Sequence, residues 1–140
     1  MKKQLFVASL GSVLACTLPV DPITLHGVSV DFEVVRVGRD WDVSSPVISS
    51  DPGSVLVQGT FVAPTGGYEL SPTISTDPEM GLVLTIHGEQ VAPGITVSIL
   101  HDFKARVTGL APGRYRATLQ YTWDYQETPL TAAQEVIVVR

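Results

Sequence analysis

The sequence predicts an all-β chain, an antiparallel β-sandwich of seven or eight short strands. Three observations carry that expectation. Beyond about residue 25 the apolar residues recur with period two, the spacing that places alternate side chains on opposite faces of a strand. Turn-forming clusters of Gly, Pro and Asp interrupt the alternation at short, even intervals. No long window outside the N-terminal segment carries a helical stripe.

The strands follow in chain order. Val28, Val30, Phe32 and Val34 alternate with Ser29, Asp31 and Glu33. Further runs cover Val55–Val62, Tyr68–Ser75, Leu82–His87, Ile95–Leu100, Phe103–Val107 and Glu135–Val139. The clearest is "YRATLQYTW", where Tyr115, Ala117, Leu119, Tyr121 and Trp123 share one face and Arg116, Thr118, Gln120 and Thr122 the other. Between the runs lie Asp51-Pro52-Gly53, Pro64-Thr65-Gly66-Gly67, Asp77-Pro78, Ala92-Pro93-Gly94 and Ala111-Pro112-Gly113. Asp40–Gly53 lacks alternation and reads as a surface loop or an irregular edge.

At 140 residues, with 44% hydrophobic and 16% charged residues, the chain has a one-domain length and can bury a core without disulfides. Its net charge is −5, from nine basic and fourteen acidic residues, and it lacks the basic stripe that nucleic acid requires. It shows no repeat or low-complexity tract.

The N-terminus carries an address. Lys2 and Lys3 precede an apolar run, Leu5–Ala15, that is shorter than the roughly 20 residues a bilayer span needs. A basic start, a short apolar middle and a small residue before a cut describe a secretory signal over residues 1–15. Val13-Leu14-Ala15-Cys16 resembles a bacterial lipobox, which implies that Cys16, the single cysteine, receives diacylglycerol and anchors the mature chain to a membrane. Thr17 in place of aspartate is similar to the outer-membrane sorting signal of a Gram-negative cell. Two other readings of Cys16 stand beside this one. Ordinary cleavage would leave a free N-terminal thiol on a periplasmic or secreted protein, or Cys16 is a small buried side chain in a first strand. Loss of Lys2 and Lys3 takes the nine basic residues to seven against fourteen acidic ones, a net charge of −7. Residues 16–25 read as a tether and 26–140 as the sandwich.

"GLAPGRYRATLQY" resembles the tyrosine corner of immunoglobulin-like and fibronectin-III-like Greek-key sandwiches. The resemblance implies that Leu110 plugs the core and that the Tyr115 hydroxyl bonds to backbone upstream. It concerns fold and not function.

Candidate chemistry is sparse. The chain has no nucleophile elbow, zinc-protease motif or phosphate-cradling loop. His26, His87 and His101 lack ligand spacing, so no metal site is expected, and His87 and His101 read as strand-edge or turn residues. Asp40-Trp41-Asp42 with Asp51 offers carboxylates but lacks a calcium loop's glycine pattern, and reads as a solvated acidic loop. Lys104, Arg106, Arg114 and Arg116 flank the Leu110 corner, and a Greek key would divide them between two sheets. Tyr121 and Trp123 lie on the apolar parity of their strand, which leaves Tyr125 as the better exposed aromatic.

Two segments resemble a further family. "APTGGYEL" is similar to the Asn-Pro-Thr-Thr-Gly-aromatic loop of chagasin-type inhibitors of papain-like cysteine proteases, and "LAPGRYRATLQYTWDY" to their strand entering a tryptophan loop. Here Ala63 stands at the asparagine and Gly66 at the second threonine. The resemblance implies that Pro64, Thr65, Gly66, Gly67 and Trp123 sit in neighbouring loops that plug a protease cleft.

The reading is thus a non-enzymatic, exported lipoprotein of the bacterial envelope. It needs no cofactor, and its immunoglobulin-like module binds a protein partner through Pro64–Gly67, Trp123 and Tyr125 or through an edge such as "EVIVV". The alternative is a chagasin-like protease inhibitor.

Overall fold

The computed structural model describes residues 19–140; residues 1–15, read above as an export signal, and Cys16 lie outside them. Eight strands form among the described residues: β1 (Ser29–Gly38), β2 (Val47–Asp51), β3 (Ser54–Ala63), β4 (Tyr68–Asp77), β5 (Gly81–Gln90), β6 (Ile99–Thr108), β7 (Gly113–Trp123) and β8 (Gln126–Val139). They build two four-stranded sheets, ordered β1-β6-β3-β2 and β4-β5-β7-β8, which face each other as a β-sandwich.

Five of the six strand pairs are antiparallel. The sixth, β5 with β7, is parallel, from Leu82 opposite Ala117 to Gly88 opposite Trp123, and departs from the all-antiparallel expectation. The chain leaves β5, crosses to lay β6 between β1 and β3, and crosses back to β7 in the same direction. A parallel pair needs such a crossover, and here a strand of the opposite sheet supplies it instead of a helix.

The core follows the period-two alternation. Val55, Val57, Phe61 and Ala63 of β3 and Phe103, Ala105 and Val107 of β6 meet Leu82, Leu84 and Ile86 of β5 and Tyr115, Ala117, Leu119 and Tyr121 of β7. Phe61, Phe103, Tyr121 and Trp123 interlock, with Phe61 and Tyr121 edge to face at 5.4 Å. Leu110 is buried at the corner, and the Tyr115 hydroxyl donates to the Ala111 carbonyl at 2.6 Å.

Several strand boundaries differ from the sequence reading. Ile95–Leu100 and Phe103–Val107 are not two strands. Residues 95–98 belong to a loop, and one strand runs from Ile99 through His101 and Asp102 to Thr108. His101 and Asp102, polar residues that looked like a break, both have reasons to lie in the sheet. The His101 ring is in the core beside Phe61. On the outer face Asp102 lies in register with Arg36 of β1 and Thr60 of β3 and accepts from both, at 2.8 and 2.7 Å, and from Trp41 Nε1 at 3.2 Å. Burial pushes the Asp102 carboxyl up, but bonds from Thr60, Arg36 and Trp41 and the charge of Arg36 outweigh it and hold it below the usual range. With Arg36 stacked 3.8 Å over the Trp41 ring, this network pins the β1–β2 connection to the sheet. His87 also leaves its expected edge. It lies on β5, an inner strand, with Nδ1 2.8 Å from Thr122 Oγ1.

Within Asp40–Gly53, Val47–Asp51 forms the short edge strand β2. The last strand begins at Gln126, well before Glu135. Lys104 and Arg106 fall on β6 and Arg114 and Arg116 on β7, in different sheets, so they make no single patch. Asp51 ends β2 at the corner end and pairs with Arg106 at 3.1 Å, whereas Asp40 and Asp42 follow β1 at the opposite end.

The segment before β1 is docked rather than free. Asp21 N donates to the Arg114 carbonyl at 2.6 Å, Arg114 N donates to Asp21 Oδ2 at 2.8 Å, and Ile23 and Leu25 pack on the core. The chain therefore enters the sandwich at the corner end.

Candidate functional site

Three connections meet at the other end, which we call the loop end: residues 64–67 between β3 and β4, residues 91–98 between β5 and β6, and the tight β7–β8 turn at Asp124-Tyr125. The first two are fused by backbone. Gly66 N donates to the Ile95 carbonyl at 3.0 Å, and Val91 N and Ala92 N donate to the Gly67 carbonyl at 2.9 and 3.3 Å. Glycine is required for this approach. Gly67 has φ +79°, and a Cβ there would collide with the Ala92 carbonyl, as one on Gly94 would with the Gly66 backbone. Gln90 Nε2 donates to Thr65 Oγ1 at 3.1 Å, tying the loop to the end of β5.

Asp124 locks the third connection to the same frame. Its Oδ1 accepts from the Tyr68 hydroxyl at 2.9 Å, its Oδ2 from Gln90 N at 2.9 Å, and its own N–H donates to the Gly88 carbonyl at 3.1 Å. The Gln90 N–H holds the Asp124 carboxyl below the ordinary carboxylate range against partial burial, helped by the Tyr68 hydroxyl. Burial and the same carboxylate push Tyr68 up to about 12.

The sequence-predicted residues therefore come together unequally. Pro64, Thr65, Gly66 and Gly67 form the braced loop. Trp123 is half-buried against Phe61 at 5.1 Å and spends its Nε1–H on the Val62 carbonyl at 2.9 Å, so it acts as a strut under the end and not as a projecting wedge. Tyr125 projects, 60% exposed, its ring 6.2 Å from that of Trp123. Leu110 and Tyr115 lie at the far, corner end.

One feature escaped the sequence reading. Beside the loop end, the seam between the edge strands β1 and β4 stays open as a cleft of about 490 Å³ lined by Val34, Val37, Leu70, Ile95, Ile99 and His101, among others. A β-bulge builds its wall. The register shifts between Val34 and Arg36, so Val34 opposes Phe103 while Val37 opposes His101, and both valines point to the inner layer although three residues apart. Val37 has core parity and is nevertheless 57% exposed, as is Ile95. His101 is only 5% exposed, and burial lowers its pKa against the backbone groups of Ile99 and Tyr68, which raise it. The doubled valine in "EVVRV" was the available signal, since it breaks a period-two run within a strand.

No family model, curated protein or solved structure matches this chain.

Among the described residues no group of three or more His, Cys, Asp or Glu side chains is arranged to hold a metal ion. No helix among them is long and apolar enough to cross a membrane. The carboxylates with lowered pKa values have structural work: Asp77 Oδ1 accepts from Glu79 N and Met80 N in the β4–β5 turn, Asp102 pins the β1–β2 connection, and Asp124 locks the β7–β8 turn.

Proposed function

We propose that this chain is an exported lipoprotein of the bacterial envelope, anchored through Cys16, whose sandwich is a non-enzymatic module that binds a protein partner with its loop end. The observation that carries the reading is the construction of that end. Three connections from distant parts of the chain are locked together by backbone hydrogen bonds, paired glycines and Asp124, on the side opposite the entry at Asp21. A preorganised surface loses little conformational freedom on binding, which is the advantage of building recognition on braced loops. An anchor at Cys16, five residues before Asp21, would limit the corner end to roughly 18 Å from the membrane and turn the loop end outward.

The test is the intact mass of the protein purified from membranes of an expressing bacterium. A mass equal to residues 16–140 plus diacylglycerol and an acyl chain is the expected result. An unmodified soluble chain overturns the anchor.

The adjacency of residues 64–67 and the β7–β8 turn supports a second reading, inhibition of papain-like cysteine proteases. In it Pro64–Gly67 and Tyr125 meet the cleft while Trp123 braces them. Papain assayed with micromolar protein decides it: undiminished activity removes this reading.

A further inference from the structure

Edge strands of a sandwich are ordinarily covered, blunted or paired, because their free backbone groups and side chains seek partners. Three of the four edges here are blunted. β2 is five residues long between Pro46 and Pro52, β4 carries Pro72, and β8 carries Pro129 with register shifts against β7. The edge of β1 has no proline, and its bulge does not turn apolar surface away. It turns Val34 and Val37 into the seam toward Leu70 and Ile99, where Val37 stays 57% exposed among the described residues.

Two further observations describe what fits. His101 lines this cleft as a buried ring packed beside Phe61. The rim is acidic. Glu69 lines the cleft and lies directly opposite Glu89 in the β4–β5 ladder, both exposed, a like-charge pair that disfavours itself and favours an added cation. The cleft is open to solvent and not enclosed, which suits a segment of chain laid across it better than an enclosed small molecule.

We propose that the seam between β1 and β4 is a docking cleft for an extended segment of a partner protein, whose apolar side chain fills the space between Val37, Ile95 and His101 while an adjacent lysine or arginine faces Glu69 and Glu89. An extended chain supplies this combination, because alternate side chains point to opposite sides and its backbone brings a donor and an acceptor at every residue. The inference rests on the reading of the loop end as a binding surface and names the chemistry of its partner.

The probe is a display library of random twelve-residue peptides selected against the folded protein, followed by titration of the synthetic consensus peptide. The expected consensus is an apolar residue next to Lys or Arg. Val37→Asp and Ile95→Asp, at exposed positions, should each weaken binding about tenfold or more, as loss of a buried anchor does. Glu69→Lys should weaken it about threefold or more and flatten its salt dependence. Val138→Asp, on the outer face of β8, should leave it unchanged. Thermal melts of every variant come first, and if Val37→Asp fails to fold, Ile95→Asp and Glu69→Lys still decide. No selected binder, an acidic or purely polar consensus, or full binding by Ile95→Asp overturns the cleft. If Tyr125→Ala abolishes binding while Val37→Asp and Ile95→Asp keep it, the loop end stands as the binding surface and the cleft falls. If none of the three matters, both fall.

Discussion

A side chain on Gly59 and the hydroxyl of Tyr121 would occupy the same place. A Cβ built on Gly59 of β3 lies 2.8 Å from the Tyr121 oxygen and 3.3 Å from the Phe103 ring. That oxygen is buried and has no hydrogen-bond partner among the described residues, and burial pushes its pKa upward. The glycine is the space that admits a tyrosine into an aromatic cluster.

Gly59→Ala is therefore expected to destabilise the fold by about 1–3 kcal/mol through overpacking, and Tyr121→Phe to stabilise it by about 1 kcal/mol by removing an unsatisfied hydroxyl. The double variant should lose less than the two effects added, because the clash goes with the hydroxyl. Urea unfolding of the four proteins measures the coupling, and strict additivity would show that the two residues do not share the space.

Tyr115→Phe removes the bond to the Ala111 carbonyl, an acceptor on an exposed residue that water can reach. The expected loss is about 1 kcal/mol, within the ordinary range for one hydrogen bond. A shift in the urea midpoint at constant slope is the readout.

Gly67→Ala tests the bracing of the loop end. The positive φ and the collision with the Ala92 carbonyl together should cost about 1–3 kcal/mol. Amide exchange should accelerate first at Gly66, Val91 and Ala92, whose N–H groups make the stitches. Uniform acceleration across the sandwich would mean that the loops are not a separate unit.

Stability should fall on both sides of neutrality for identifiable reasons. Asp102 and Asp124 titrate below the usual carboxylate range, so what they contribute is present above about pH 4 and lost as the pH drops further. His101 has a lowered pKa, so its contribution is complete above about pH 6.5 and declines below it. Tyr68, raised to about 12, contributes fully below pH 10 and loses that contribution as the pH rises toward 12. Urea midpoints from pH 3 to 11 give the profile. Tyrosinate absorbance in the Tyr68→Phe variant assigns the alkaline arm.

Alternation made β7 legible because every second residue from Tyr115 to Tyr121 is buried. It failed where the physical reason lay elsewhere in the chain. β2 is an exposed edge whose Ser49, Ser50 and Asp51 need no apolar pattern, only the backbone of β3. His101 and Asp102 looked like a break in β6 because the partners that explain them, Phe61, Arg36, Trp41 and Thr60, are contributed by distant segments. The loops at residues 64–67 and 123–125 were visible as turn chemistry. The cleft beside them was not, since it exists only where β1 and β4 fail to close on each other.

The parallel pairing of β5 with β7 also sets an order of events. β6 is the strand that joins β1 to β3, and it lies on the path between β5 and β7. Until residues 99–108 are available, β1 has no neighbour and β3 has only the short β2, and β5 has β4 alone. The first ninety residues can thus make hairpins but no sandwich. A chain delivered from its N-terminus stays unassembled until its last third arrives, and then closes many long loops at once, which makes for slow, all-or-none assembly. A block placed after β5 should leave a protease-sensitive chain, and one placed after β8 a resistant one.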